Sequence, residues 1–237
     1  MNPELFIDIE TIPDQRPGAR EKIAETISPP KAMTKAETIA RWEAEERPRA
    51  IEDAWRKTAL DGSKGQIAVI SVAFGDEDPF AFFSSYWSRD EGEVIAACFA
   101  HCAERLEAAK RAGSSLRPRL IGHNHTGFDL RFIWQRCVIL GVRPPVWLPV
   151  NPKPWDDHIF DTMVAWAGLK GYARMDDVCE SLGIAGKGSE FEDGEDIDGS
   201  MVWDYVRDGK IEKVAQYCNG DVLRTREMYR RMTFTGT

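Results

Sequence analysis

The 237-residue sequence predicts an α/β fold, a mixed five-stranded sheet flanked by helices, and three observations carry that expectation. Leu5–Glu10 alternates with the period of a β-strand. Gln66–Phe74 and Phe80–Trp87 are β-branched and aromatic segments joined by Gly75-Asp-Glu-Asp-Pro79, a run of hairpin composition, so they pair. Beyond residue 90, short strand-like segments alternate with helix-like ones, which sets helices against a sheet.

Taken in order, the first strand puts Leu5, Ile7 and Ile9 on one face and Phe6, Asp8 and Glu10 on the other. Residues 13–64, rich in Pro, Ala, Arg and Glu, contain one helix-like stretch from Thr34 to about Arg47; they read as a helical insertion in a single domain spanning 1–237. Glu91–Arg111 carries Val94, Ile95, Cys98, Phe99, Cys102 and Leu106 at helical spacing and ends at Gly113-Ser-Ser. Leu120–Gly122 is the next strand, and Thr126 is placed to cap a helix running through Phe132, Ile133 and Cys137 to Gly141. Pro144–Pro154 reads as a loop and Ile159-Phe160 as a short buried strand. Asp161–Gly168 and Arg174–Leu182 read as helices, Lys187–Gly199 as an acidic Gly-rich loop, and Ile211–Met232 as a long terminal helix.

Composition narrows the function classes. A net charge of −8 argues against a broad basic surface that coats nucleic acid, while leaving local basic patches open. The longest apolar run, Ile67–Phe74, is far short of the roughly 20 residues that span a bilayer, and Met1-Asn2-Pro3-Glu4 lacks a signal peptide's basic start, so a cytoplasmic location without membrane contact is expected. Cysteines are odd in number and scattered, which fits reduced thiols. Cys98, His101 and Cys102 form the one tempting cluster, but they lie on one helix with no second Cys-x-x-Cys, so zinc is not expected there.

Asp8 and Glu10 leave the same strand face about 7 Å apart at most. Taken alone, the pair fits a solvated acidic face better than ligands for a divalent cation, the most effective compensator for two adjacent carboxylates. Asp129 follows Gly122-His-Asn124-His-Thr126-Gly-Phe128 at a strand-to-helix junction, and Tyr217 and Asp221, at i and i+4, share a face of the last helix. In this order the four carboxylates resemble the three motifs of the DEDD (DnaQ-like) 3′-5′ exonuclease superfamily. Tyr217, with Gln216 rather than histidine five residues before Asp221, matches its tyrosine class. Phe6-Ile-Asp-Ile-Glu-Thr-Ile-Pro13, the Lys187-Gly188 loop, Asp198-Gly199 and the Tyr217–Thr225 pattern are most similar to stand-alone predicted exonucleases related to the proofreading domain of B-family DNA polymerases.

That resemblance implies an RNase H-like (DnaQ-like) fold and two divalent cations, Mg²⁺ or Mn²⁺, which hard carboxylate oxygens favour over zinc. It implies that Asp8 bridges both ions, Glu10 and Asp221 hold the nucleophile-side ion, and Asp129 holds the other partly through water. Tyr217 then orients the attacking water, since an ordinary phenol pKa near 10 makes it a poor free base. The implied reaction is 3′-5′ hydrolysis of nucleic acid, foremost single-stranded DNA or a frayed 3′ end, to 5′-mononucleotides. An exoribonuclease and a non-catalytic nucleic-acid-binding subunit of the same fold are the alternatives. A two-carboxylate glycosidase is a further rival, which EDTA would leave active.

Several residues carry two readings. Thr11 and Ile12 either contact the 3′-terminal nucleotide or merely end the strand, and Asn124 and Phe128 either shape the floor of the site or belong to the core. His123 and His125 fit structural hydrogen bonding better than an oxygen-rich metal site. Asp161 either joins the site or caps the next helix, and Lys187 either reaches a phosphate or is solvated. Arg47, Arg49, Arg56 and Lys57, near Trp42 and Trp55, fit an amphipathic helical arm better than a single-strand wall, because Glu43, Glu45, Glu46, Glu52 and Asp53 are interspersed.

Overall fold

The computed structural model describes residues 2–191 and 197–235. Five strands form one sheet in the order β3-β2-β1-β4-β5. β1 (Glu4–Ile12) pairs antiparallel with β2 (Gln66–Phe74), which pairs antiparallel with β3 (Phe80–Phe83); on its other side β1 runs parallel to β4 (Arg119–Gly122), and β4 parallel to β5 (Ile159–Asp161). The mixed α/β architecture is therefore present, although β3 stops at Phe83 rather than continuing to Trp87.

The alternation of β1 sorts its side chains onto two helical layers. Leu5, Ile7 and Ile9 join α4 (Glu91–Arg111) and α5 (Asp129–Leu140) in one core cluster, while Phe6 packs edge-on against Tyr229 of α9 (Ile211–Thr233) on the opposite face. Asp8 and Glu10 share that second face, which aims them at α9. A register shift between Glu10 and Thr11 marks a bulge where β1 leaves the acidic pair.

The inserted segment holds three helices rather than one: α1 (Ala19–Thr26), α2 (Ala36–Glu45) and α3 (Arg47–Arg56), followed by a 3₁₀ turn at Lys57–Leu60. The predicted helix corresponds to α2, while α1 and α3 were not foreseen; Pro48 stands in the first turn of α3, where its missing N–H costs no intrahelical bond. Trp42 and Trp55 are buried, so neither serves as an exposed stacking platform. Arg47 donates to the carbonyls of Ala24 and Ile27, and Arg56 makes a fork of bonds at 2.7 and 2.9 Å to Asp204 on α8 (Val202–Arg207), a helix the sequence pattern did not reveal. Trp55 packs edge-on against Trp203 and donates Nε1–H to the Asp14 carbonyl at 2.7 Å, which seats the insertion on the sheet beside Ile12 and Val69.

Thr126 does not cap α5. Its hydroxyl donates to Asp161 at 2.6 Å, and the helix begins at Asp129 with no side-chain cap, while Gly141 ends it in the left-handed conformation. Asp161 caps α6 (Thr162–Ala167), accepting from the amides of Met163 and Val164. α7 (Met175–Leu182) agrees with its predicted span. Part of the predicted acidic loop, residues 192–196, lies outside the described residues. Cys98 and Cys102 sit in the core, whereas His101 stacks on Phe80 at the surface of the sheet. Among the described residues, no helix is long and apolar enough to cross a membrane.

Candidate active site

The carboxyl ends of the parallel strands β1, β4 and β5 open onto one side of the sheet, the place where α/β sheets commonly receive ligands. A cleft of about 480 Å³ there is lined by Asp8, Asn124, Tyr172, Arg174, Lys187 and Asp221, among others. β4 pairs with β1 only as far as Phe6, which leaves the Ile9 amide free to donate to Asp129 Oδ1 at 3.1 Å. That bond ties the first residue of α5 to the acidic strand.

Asp161 builds the loop that delivers Asp129. Its carboxylate accepts from the amides of Asn124 at 2.9 Å and Thr126 at 3.1 Å, as well as from the start of α6. His125 lies wholly buried with Nδ1 3.4 Å from the same carboxylate, and a Cβ on Gly122 would come within 2.5 Å of His125 Cβ. Although burial opposes ionisation, bonding to His125 and Thr126 holds Asp161 well below the usual carboxylate range. Asn124 takes a left-handed backbone at φ 62°, which asparagine tolerates better than most residues. His123 places Nε2 3.0 Å from the Ala173 carbonyl, and since a carbonyl only accepts, that nitrogen carries the proton; Nδ1 lies 2.9 Å from the Thr162 hydroxyl.

Glu10, Asp129 and Asp221 are buried and Asp8 half-buried, and the four repel one another. Burial, then repulsion from Asp129, Glu10 and Asp221, raises Asp8 well above its ordinary pKa; burial and Asp221 do the same for Glu10. Burial pushes Asp129 up to about 7 against the opposing pull of His125 and the Ile9 amide. Asp221 is raised by burial, with Lys187 and Arg224 pulling the other way. The Tyr217 phenol is pushed far up by burial and by Glu10, Asp221 and Asp8, so it stays protonated.

Two cations lie against Asp221. Lys187 Nζ lies 3.4 Å from Asp221 Oδ2 and donates to the Tyr217 hydroxyl, so its ammonium is turned inward rather than solvated. Arg224, one turn beyond Asp221, pairs with it at 2.9 Å and is shared with Glu190 and the Gly186 carbonyl. Cys218, next to Tyr217, donates its thiol to Asp8 Oδ2 at 3.3 Å; one oxygen each of Asp8 and Glu10 and the Cys218 sulfur lie within 4.8 Å of one another. Arg224 and Cys218 were not foreseen from the sequence; the i, i+3 spacing of Asp221 and Arg224 was the available signal for the first.

The remaining predicted residues divide. Thr11 is half-buried and donates to the Ala59 carbonyl at 2.7 Å. Ile12 is wholly buried, its side chain packed with Trp55 and Val69 rather than facing the cleft. Phe128 is half-buried against Phe132 and the core.

The donor set of four carboxylates, undercompensated by Lys187 and Arg224, fits hard divalent cations of the Mg²⁺ or Mn²⁺ type, which take oxygen ligands. A protonated thiol beside Asp8 does not change that preference, since burial first and the charges of Asp8 and Glu10 next hold Cys218 protonated.

Residues 103–237, more than half of the chain, match the family model described as a predicted 3′-5′ exonuclease related to the exonuclease domain of PolB. No curated protein matches significantly. Among solved structures, the family B DNA polymerase from the hyperthermophilic archaeon Pyrobaculum calidifontis is similar over 99% of this chain, with a TM-score of 0.56 and 18% identity. This chain spans 25% of that polymerase chain, so what the likeness shows is the fold, RNase H-like and DnaQ-like. The matched residues include Asp129, Tyr217 and Asp221, and the chain belongs to the family of predicted 3′-5′ exonucleases related to the exonuclease domain of PolB.

Proposed function

We propose that the chain, read as one domain with the helical insertion, is a metal-dependent 3′-5′ exonuclease that hydrolyses single-stranded DNA to 5′-mononucleotides. The observation that carries this reading is the clustering of Glu10, Asp129 and Asp221 around Asp8, with Asp8 and Asp221 lining the cleft and Tyr217 bonded to Lys187 beside them. A phosphodiester is anionic and such a cluster would repel it, so cations are a condition of substrate approach. Asp8, Glu10, Asp129 and Asp221 would hold two of them, Mg²⁺ or Mn²⁺. When bound, such ions activate water and stabilise charge on the phosphate and the leaving oxygen.

The chain's own residues do the rest. Lys187 donates to the Tyr217 oxygen, leaving the phenol its own proton to give to a water or a phosphate oxygen in the cleft. Because Tyr217 stays protonated, it positions water rather than removing its proton. Asp161 and the Ile9 amide fix Asp129, so one ligand is set by the sheet before substrate arrives.

The test is incubation of end-labelled DNA and RNA of one sequence with Mn²⁺, using Asp8→Ala as the control for contaminating nucleases. The reading expects mononucleotide release from DNA that the variant lacks. Preferential hydrolysis of RNA would reassign the substrate to ribonucleic acid, and binding without any hydrolysis would leave a non-catalytic subunit.

A further inference from the structure

Arg224 has no part in the chemistry above, yet it is buried and joins two parts of the molecule. One nitrogen of its guanidinium, Nη1, donates to Asp221 Oδ1 on α9 at 2.9 Å. The others face the loop that follows α7: Nη2 donates to the Gly186 carbonyl at 2.9 Å and to Glu190, and Nε to the Ala185 carbonyl at 3.3 Å. One rigid plane therefore spans a carboxylate on the helix and acceptors on both sides of Lys187. Gly220 makes room for it. A Cβ there would meet Arg224 Nη1 at 2.9 Å and Glu190 Cδ at 3.1 Å, which accounts for a glycine inside a helix that it would otherwise weaken.

Lys187 needs such a fastening. It stands between Gly186 and Gly188, the second with a left-handed backbone at φ 83°, so its neighbours in the chain do little to fix it. Its ammonium also sits on a flexible four-carbon stem. Nζ is nevertheless held 3.4 Å from Asp221 Oδ2 and on the Tyr217 hydroxyl. Arg224 takes one oxygen of Asp221 while Lys187 faces the other, so the two cations meet on a single carboxylate. The spanning group has to be an arginine, because its five donors form a fixed fork, whereas the ammonium of a lysine is a compact point charge that would reach either the helix or the loop.

Resting on the exonuclease reading, we propose that Arg224 is a positioning residue for the reaction: it straps the loop of Lys187 to Asp221, and so sets the ammonium on the Tyr217 hydroxyl before substrate arrives. Arg224 acts through Lys187 and touches no reacting atom.

A double-mutant cycle between Arg224→Lys and Lys187→Ala tests this, read by single-turnover hydrolysis of a 5′-labelled oligonucleotide in Mn²⁺. Arg224→Lys keeps the charge and loses the fork, so it should lower kcat by about tenfold or more with KM little changed, the scale of a misplaced catalytic group. In the Lys187→Ala background the same change should cost no more than about twofold, since the side chain being positioned is gone. A merely structural arginine would give equal losses in both backgrounds, and that result, or an unchanged kcat in Arg224→Lys beside an active wild type, overturns the proposal while leaving the exonuclease reading intact. A second measurement needs no activity. Limited trypsin digestion in EDTA, with cleavage after Lys187 followed by mass spectrometry, should be at least about tenfold faster in Arg224→Lys, because a strapped loop opens less often. An unchanged rate removes the strap. Faster cleavage in a protein that hydrolyses nothing keeps the strap and removes the exonuclease reading. Should Arg224→Lys fail to fold, Glu190→Gln, which weakens the strap from the loop side without touching Asp221, carries both measurements with the same expected directions.

Discussion

Tyr217 is 1% exposed, its ring packed with Ile12 and Val69 and its hydroxyl bonded to Lys187. A purely structural tyrosine and a water-positioning one would look alike in packing, and the hydroxyl separates them. Tyr217→Phe keeps the ring, so the account expects normal folding and a fall in kcat of about 10²–10⁴-fold with KM little changed, measured under single-turnover conditions. Wild-type kcat in that variant would assign the hydroxyl to structure alone. On the proposed reading, Asp8→Ala and Asp221→Ala should each lower turnover by at least about 10³-fold, because each would delete a metal ligand. Lys187→Ala tests the opposite sign. Removing a cation that faces Asp221 and Glu10 should lower the melting temperature of the metal-free protein, and added Mg²⁺ should narrow the gap to wild type; an unchanged metal-free melt would show that Lys187 carries no such role.

The elements differ in how much of them the sequence disclosed. β1 was legible because a half-buried strand alternates, and α4 because its apolar residues repeat at helical spacing over 21 residues. The insertion was not, since its short helices bury few residues each and are held by long-range contacts such as Trp55 to Trp203 and Arg56 to Asp204. α8 escaped because six residues are too few to show a period. Motif order pointed to the four carboxylates and Tyr217, which the fold brings close together. Ile12 stays on the sheet face of Asp8 and Glu10, but its side chain is covered by a cluster that includes Trp55 of the insertion, a long-range packing that the sequence did not show. If the insertion is integral to the fold, Trp55→Ala should cost about 3–5 kcal/mol in urea unfolding. A cost within about 0.5 kcal/mol, typical of surface substitutions, would show that the segment is a loosely attached arm.

At the scale of the whole molecule, the acidic cleft links pH, metal and stability. Asp129 titrates near 3.9 when unfolded and at about 7 in the metal-free fold, so the folded state binds the proton more tightly. The stability that Asp129 contributes to the metal-free protein should therefore fall as pH rises from about 4 to about 7, with Asp8 and Glu10 acting in the same direction. Cations compete with protons for the same oxygens, so Mg²⁺ or Mn²⁺ should raise the melting temperature more at pH 7.5 than at pH 5. A stabilisation equal at both pH values would place metal binding elsewhere.

The most direct test is the digestion of a 5′-labelled single-stranded oligonucleotide in Mg²⁺ or Mn²⁺ and again in excess EDTA. The account predicts a ladder of labelled products that shortens progressively from the 3′ end with metal and intact substrate with chelator. Undiminished cleavage in EDTA, or release of the labelled 5′ nucleotide first, would contradict it.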